Sequence, residues 1–204
     1  MNIEHICSAF IERKKIVCPW QLAPIIDNRL RPLVHNPEKI FVPYVTRGMT
    51  VLDVGCGAGF ASLGLARLVG EEGLVIAADL QPKMLGMVKE RAIREGLADR
   101  IRIHLCNRDR VGLREELDFA VAFFMVHEVP DVEIFLEEIY ALLKPDGRFF
   151  ITEPKIHVGL LAFQQIMRKA QVIGFEIAER PSVRFGRTVL LVKGVTCPPK
   201  VIPL

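Results

Sequence analysis

From residue 50 onward, short runs of apolar and β-branched residues alternate with longer stretches in which apolar positions recur every three or four residues. The first kind reads as buried strands, the second as helices with one apolar face. Strands are expected at Thr50–Val54, Leu74–Asp79, Ile101–Leu105, Leu117–Phe123, Arg148–Thr152, Phe175–Glu179 and Thr188–Lys193, and helices at Phe60–Val69, Pro82–Glu95, Val132–Leu143 and Val158–Ile173. Pro82 suits a first helical position, Gly96 follows the second helix, and Pro145, Asp146 and Gly147 form a turn after the third. Such alternation predicts an α/β fold, a three-layer sandwich with helices on both faces of a mostly parallel sheet. It stops after the fifth strand. Only Arg180 to Arg187 separates the last two strands, too short a link for a parallel crossover, so they form an antiparallel hairpin at the sheet edge.

Before residue 50 the texture differs. Pro19, Pro24, Pro32, Pro37 and Pro43 cut the first 49 residues into pieces too short for a long helix, so 1–49 reads as a helical arm or lid packed on a main domain of 50–193. The tail, 194–204, carries three prolines and is expected to be irregular. Half of the 204 residues are hydrophobic and a quarter charged, which excludes disordered and low-complexity classes. A net charge of +3 does not signal a polyanion-binding surface. Five scattered cysteines, an odd number, argue against a disulfide framework. Charges interrupt the N-terminal segment as they would not in a signal peptide, and no apolar run is long enough to span a bilayer. A cytoplasmic protein without a membrane partner is expected.

The candidate chemistry centres on Asp53-Val54-Gly55-Cys56-Gly57-Ala58-Gly59-Phe60. A buried strand runs into three glycines at alternate positions and then directly into a helix. Glycines let the backbone approach a ligand and adopt unusual dihedrals, and the helix start offers free N–H groups. The next strand ends in Asp79, whose carboxylate can accept both hydroxyls of a ribose. Together these imply an adenosine-containing ligand. A dinucleotide fingerprint would need glycine or alanine where Phe60 stands, and Asp53 would repel a pyrophosphate while attracting an ammonium group.

With these residues in place, the chain resembles the class I S-adenosylmethionine-dependent methyltransferases. The resemblance rests on Asp53 to Gly59, on Asp79, and on Leu142-Leu143-Lys144-Pro145-Asp146-Gly147-Arg148 ahead of the fifth strand; it covers about residues 36–193. It implies a Rossmann-like sheet of seven strands in the order 3-2-1-4-5-7-6 with the last strand antiparallel, and S-adenosyl-L-methionine as cofactor. The cofactor residues carried over are Asp53, Gly55, Cys56, Gly57, Gly59, Asp79, Leu80, Asn107, Arg108 and Phe124. Asn107 stands where the family usually has an acid.

Ligands of such sheets bind at the carboxyl ends of the strands, near the switch in strand order between the first and fourth. There the chain reads Phe123-Phe124-Met125-Val126-His127-Glu128-Val129-Pro130-Asp131, with Asp131 placed to cap a helix. His127 is the candidate proton acceptor; shaping the loop, contacting the substrate or plain packing are the competing roles. The stretch resembles a subgroup that includes quinone C-methyltransferases and arsenite methyltransferases. Glu153, at the end of the fifth strand, is a candidate substrate contact or ion-pair partner. Motifs for methylating nucleic-acid bases are absent after Phe123, so a small-molecule acceptor is favoured over nucleic acid.

Cys18 and Trp20, the sole tryptophan, lie in the arm and are further substrate candidates. The arm's apolar residues should cover the site, pack on the sheet edge, or contact a second copy in a homodimer. No cysteine spacing forms a metal motif, so no metal is assigned. The leading reading is methyl transfer by in-line displacement to a small molecule; the rivals are a non-catalytic S-adenosylmethionine-binding module and a nicotinamide-dependent oxidoreductase.

Overall fold

The computed structural model describes residues 17–23 and 31–194. Expectations for the rest of the arm, including Pro24, and for the tail from residue 195 lie outside the described residues. Seven strands, β1 (Thr50–Val54), β2 (Leu74–Asp79), β3 (Ile101–Leu105), β4 (Leu117–Phe123), β5 (Leu143–Pro154), β6 (Phe175–Glu179) and β7 (Gly186–Lys193), form one sheet in the order β3-β2-β1-β4-β5-β7-β6. β1 pairs in parallel with β2 and β4, β2 with β3, and β4 with β5, whereas β7 runs antiparallel to both β5 and β6. The helices are α1 (Arg31–Val34), α2 (Pro37–Phe41), α3 (Phe60–Val69), α4 (Pro82–Arg94), α5 (Val132–Leu142) and α6 (Leu160–Ile173).

Alternate strand residues feed two separate cores, as the two-residue period of a strand requires. Leu52, Val54, Ile76, Ala120, Phe149 and Ile151 pack under α5 and α6. Val51, Val75, Phe119, Val121 and Phe150 pack under α2 and α3. The central strands are therefore buried on both sides, which is why they read as continuous apolar runs.

Two strands depart from expectation: β7 starts two residues earlier, at Gly186, where it pairs with Pro154, and β5 is longer at both ends, reaching Pro154. β5 begins at Leu143, before the Pro145-Asp146-Gly147 turn, because Leu143 already pairs with Leu117; the ladder then shifts register and resumes at Phe119↔Arg148. The turn is thus a bulge inside the strand, with Asp146 at φ 61°. Lys144 Nζ bonds Asp118 Oδ1 at 2.7 Å beside it. Asp131 caps α5 as expected, accepting from the backbone N–H groups of Glu133 and Ile134.

Candidate functional site

At the carboxyl edge, the loop after β1 is tied to the end of β2. The N–H groups of Gly55 and Cys56 both donate to Ala78 O, at 2.8 and 3.0 Å. All three loop glycines have positive φ, but for different surroundings. A Cβ on Gly55 would lie 2.8 Å from Met125 Cγ, and one on Gly59 would lie 3.2 Å from Val88 Cγ2 of α4. A Cβ on Gly57 would meet no protein atom within 4 Å. Gly57 lines the cavity here, so that open space belongs to whatever the cavity holds. Gly59 does not line it; its role is to start α3 in a left-handed conformation against α4.

Asp79 faces this loop. Its Oδ2 accepts from Gly57 N at 3.0 Å and its Oδ1 from Gln81 N at 2.8 Å, and the Leu80 N–H also bonds it, which leaves part of the carboxylate's accepting capacity for a ligand. Burial pushes its carboxyl above the usual range, and the backbone bonds pull against that shift. Below, Asp53 is almost fully buried, with Oδ2 2.5 Å from the Ser62 hydroxyl of α3. Desolvation raises it from 3.8 to about 6, against the Ser62 hydrogen bonds; the nearby Asp79 charge adds to the rise and Arg31 offsets part of it. The Arg31 guanidinium lies 3.9 Å from the centre of the Phe60 ring, at the same cavity wall.

The cavity encloses about 520 Å³, within the range of small-molecule sites. On one side it is lined by Cys106 and the segment 107–111, held in place from two directions. Glu138 of α5 accepts from the N–H groups of Val111 and Gly112 at 2.9 and 2.7 Å, and His104 Nε2 lies 2.6 Å from Val111 O. Asn107, Arg108, Leu80 and Phe124, which the resemblance assigned to the cofactor, all line the cavity. Phe124 holds φ 63°, a left-handed conformation sparsely used by bulky residues, fixed by its N–H to Thr152 O at 2.8 Å. Burial pushes the Cys56 thiol well up and the Cys106 thiol up to about 12, so neither supplies a thiolate at neutral pH. Among the described residues, no three His, Cys, Asp or Glu side chains gather as metal ligands.

The opposite side is the turn Val126–Glu128 after β4. Glu153 of β5 was a candidate substrate contact; it is instead fully buried and behind the cavity wall. Its Oε1 accepts from Val126 N at 2.9 Å, and its Oε2 accepts from His127 N at 3.2 Å and lies 2.6 Å from His127 Nδ1. His127 does line the cavity, with its ring 5.6 Å from that of His157.

The described part of the arm closes the same opening, by contacts that the sequence did not announce. Glu128 Oε2 accepts from Cys18 N at 3.1 Å; Gln81 accepts from Trp20 N at 3.0 Å through Oε1 and donates to Cys18 O at 2.8 Å through Nε2. Cys18 lines the cavity, and burial with the nearby Glu128 and Asp79 charges raises its thiol. Trp20, also a substrate candidate, does not line it and is partly exposed. Glu128, Gln81 and Arg31 are the site residues that motif reading missed. For Glu128 the only available signal was adjacency to His127.

A profile of the family described as "Methyltransferase domain" matches residues 45–180. The chain is 35% identical over 120 residues to the ubiquinone/menaquinone biosynthesis C-methyltransferase UbiE of Cellvibrio japonicus, a match covering 58% of this chain and 48% of the relative. For the enzyme of that name from Klebsiella pneumoniae, identity is 34% over 110 residues, with 53% and 44% covered. The chain thus spans about half the length of the curated relatives it matches. The crystal structure of a SAM dependent methyltransferase from Aquifex aeolicus superposes with a TM-score of 0.79 at 25% identity, covering 87% of this chain and 100% of that one. Glycine loop, strand-terminal Asp79, strand order and profile agree, and the chain belongs to the methyltransferase-domain family.

Proposed function

We propose that this protein transfers a methyl group from S-adenosylmethionine to a small-molecule acceptor. The observation that carries the reading is the Gly57–Asp79 pair. A glycine with open space above it is hydrogen-bonded to an acid that retains accepting capacity for a ligand, inside a cavity of about 520 Å³. Asp79 would take the ribose hydroxyls, Gly55 to Gly57 the backbone-facing side of the ligand, Asp53 the ammonium group, and 106–108 with Leu80 the adenine. The relatives named for ubiquinone and menaquinone biosynthesis support a small acceptor rather than a nucleic acid.

When bound, S-adenosylmethionine supplies a methyl group on a positively charged sulfur for in-line displacement. The protein's share is positioning and proton handling. Arm residues 17–23 cover the opening and exclude water. Glu153 accepts from His127 Nδ1–H, so Nε2 is the ring atom that takes a proton from an acceptor that starts protonated. We read residues up to 49 as a lid on the 50–193 unit, and the cytoplasm as its location.

Titration calorimetry with S-adenosylmethionine, S-adenosylhomocysteine and NAD tests the cofactor. Micromolar binding of the first two with NAD silent is expected; binding of NAD alone overturns the reading. Transfer of labelled methyl groups to quinols, thiols or metalloids then tests turnover, and tight cofactor binding without transfer to any acceptor would favour a binding module.

A further inference from the structure

Beside the cavity mouth the protein exposes a group of apolar side chains that no described residue covers. Ile156 is 89% exposed and Leu161 76%, with Leu160 and Phe185 also more than half exposed. They sit on two segments joined by hydrogen bonds. Lys155 N donates to Phe185 O at 2.9 Å, and Arg187 Nε donates to Val158 O at 3.0 Å. The turn after β5 and the loop before β7 therefore form one surface. It adjoins the cavity directly, because Pro154 and His157 of the same turn line it.

Charge is distributed unevenly around these tips. Residues 154–173 and 180–187 carry six Lys and Arg and not one Asp or Glu, in a chain whose net charge is only +3. Lys169 is paired with Glu133 of α5, and Arg184 lies 5.0 Å from the Phe185 ring centre; Lys155 and Arg184 are both exposed at the patch. Phe185 itself is held at φ 60°. A bulky aromatic in that conformation is strained, and this one is mostly in water, so packing does not compensate the strain. Exposed apolar tips flanked by Lys155 and Arg184, on two segments that carry no acid of their own, fit a negatively charged lipid surface.

We propose that the face formed by 155–161 and 183–187 docks on an anionic phospholipid surface, so that an apolar acceptor dissolved in the lipid reaches the cavity past Pro154 and His157. This deepens the methyl-transfer reading and rests on it for its purpose. It also revises the expectation of no membrane partner: among the described residues no helix is long and apolar enough to cross a membrane, but docking requires only a surface.

The test is co-sedimentation with vesicles of phosphatidylcholine alone and of phosphatidylcholine mixed with phosphatidylglycerol, at low and raised salt. The protein is expected to follow the mixed vesicles, less so in salt, and not the neutral ones. Replacing Ile156 and Leu161 together by serine should weaken that partition by about tenfold or more, the loss expected for withdrawing two apolar side chains. Phe185→Asn should weaken it too while leaving the melting temperature unchanged or higher, since asparagine tolerates positive φ; this separates docking from misfolding. S-adenosylmethionine titrated into the same preparations should bind all of them alike, so a failed cofactor reading and a failed docking face are told apart. No partition of the wild type, partition indifferent to the substitutions, or a dimer in sedimentation equilibrium that the serine variant dissociates would each overturn the proposal.

Discussion

Glu153 Oε2 lies 2.6 Å from His127 Nδ1, bridging the ends of β5 and β4 on the edge where the cavity opens. A carboxylate acceptor fixes the proton on Nδ1, and the same carboxylate holds the turn through the N–H groups of Val126 and His127. Removing the charge therefore perturbs the ring's orientation before it touches the cofactor. Glu153→Gln is expected to lower kcat by about tenfold or more, in the range of general acid–base contributions, with the S-adenosylmethionine dissociation constant unchanged. Glu153→Ala should also destabilise the fold by about 1–3 kcal/mol, because two backbone N–H groups lose a buried partner. Steady-state kinetics beside calorimetry and thermal melting separate the two effects; a Gln variant that binds cofactor poorly and turns over normally would refute the positioning role.

Asp53 is predicted to lower stability in exchange for cofactor affinity. Its carboxyl is raised from 3.8 to about 6, chiefly by desolvation. Between those values the folded state holds more protons than the unfolded one, so the contribution of this group to stability is full at low pH and is lost as pH rises from about 4 through 6. The two-unit gap corresponds to about 3 kcal/mol as an upper bound. Asp53→Asn keeps an acceptor for Ser62 and should melt higher than the wild type above pH 6, with the difference vanishing towards pH 4. The same variant should bind S-adenosylmethionine more weakly, since the negative charge proposed to hold the ammonium group is gone. Melting curves across that range check the first half and calorimetry the second.

Five of the seven strands begin and end where the hydrophobic pattern places them: β1, β2 and β4 are continuous apolar runs buried on both faces, and the edge strands β3 and β6 carry apolar residues at alternate positions. The β5 boundary could not be read that way: Pro145-Asp146-Gly147 is turn chemistry locally, and only pairing of Leu143 with Leu117 makes it a bulge. The pairing of the glycine loop with Asp79 was legible for a related reason, since glycine spacing and a strand-terminal acid are local signals. The acceptor side was not. Glu153 and Glu128 are both carboxylates at the same edge, yet one is fully buried under the turn and the other bonds the arm, a difference set by tertiary packing alone. Gln81 and Arg31 lie outside any motif and gain meaning only where two distant segments meet.

Gly57 and Gly59 are predicted to fail differently. Both have positive φ, so alanine at either is strained and costs about 1 kcal/mol. At Gly59 the new Cβ also meets Val88 at 3.2 Å, which pushes α3 from α4 and lowers the melting temperature further. At Gly57 it meets no protein atom and projects into the cavity. Gly57→Ala should therefore fold with the smaller loss of stability but the larger loss of cofactor affinity. Equal affinity losses in the two variants would mean that the open space at Gly57 is not where the ligand lies.

Gln81 couples the arm to Asp79 through one residue. Its backbone N–H donates to Asp79 Oδ1, while its side chain holds Cys18 O and Trp20 N. Any ligand that draws on Asp79 is thus one residue from the contact that seats the arm. Trp20 is the chain's sole tryptophan, so its emission reports on that seat. S-adenosylmethionine is expected to shift the Trp20 emission in the wild type, and Gln81→Ala to abolish most of the shift while costing about 1–2 kcal/mol of stability for the two lost bonds. Asp79→Asn should weaken cofactor binding yet leave the Trp20 spectrum of the free protein unchanged, because the Gln81 side chain still grips the arm. An emission that ignores both the ligand and the Gln81 substitution would show that residues 17–23 do not close over the site in response to cofactor.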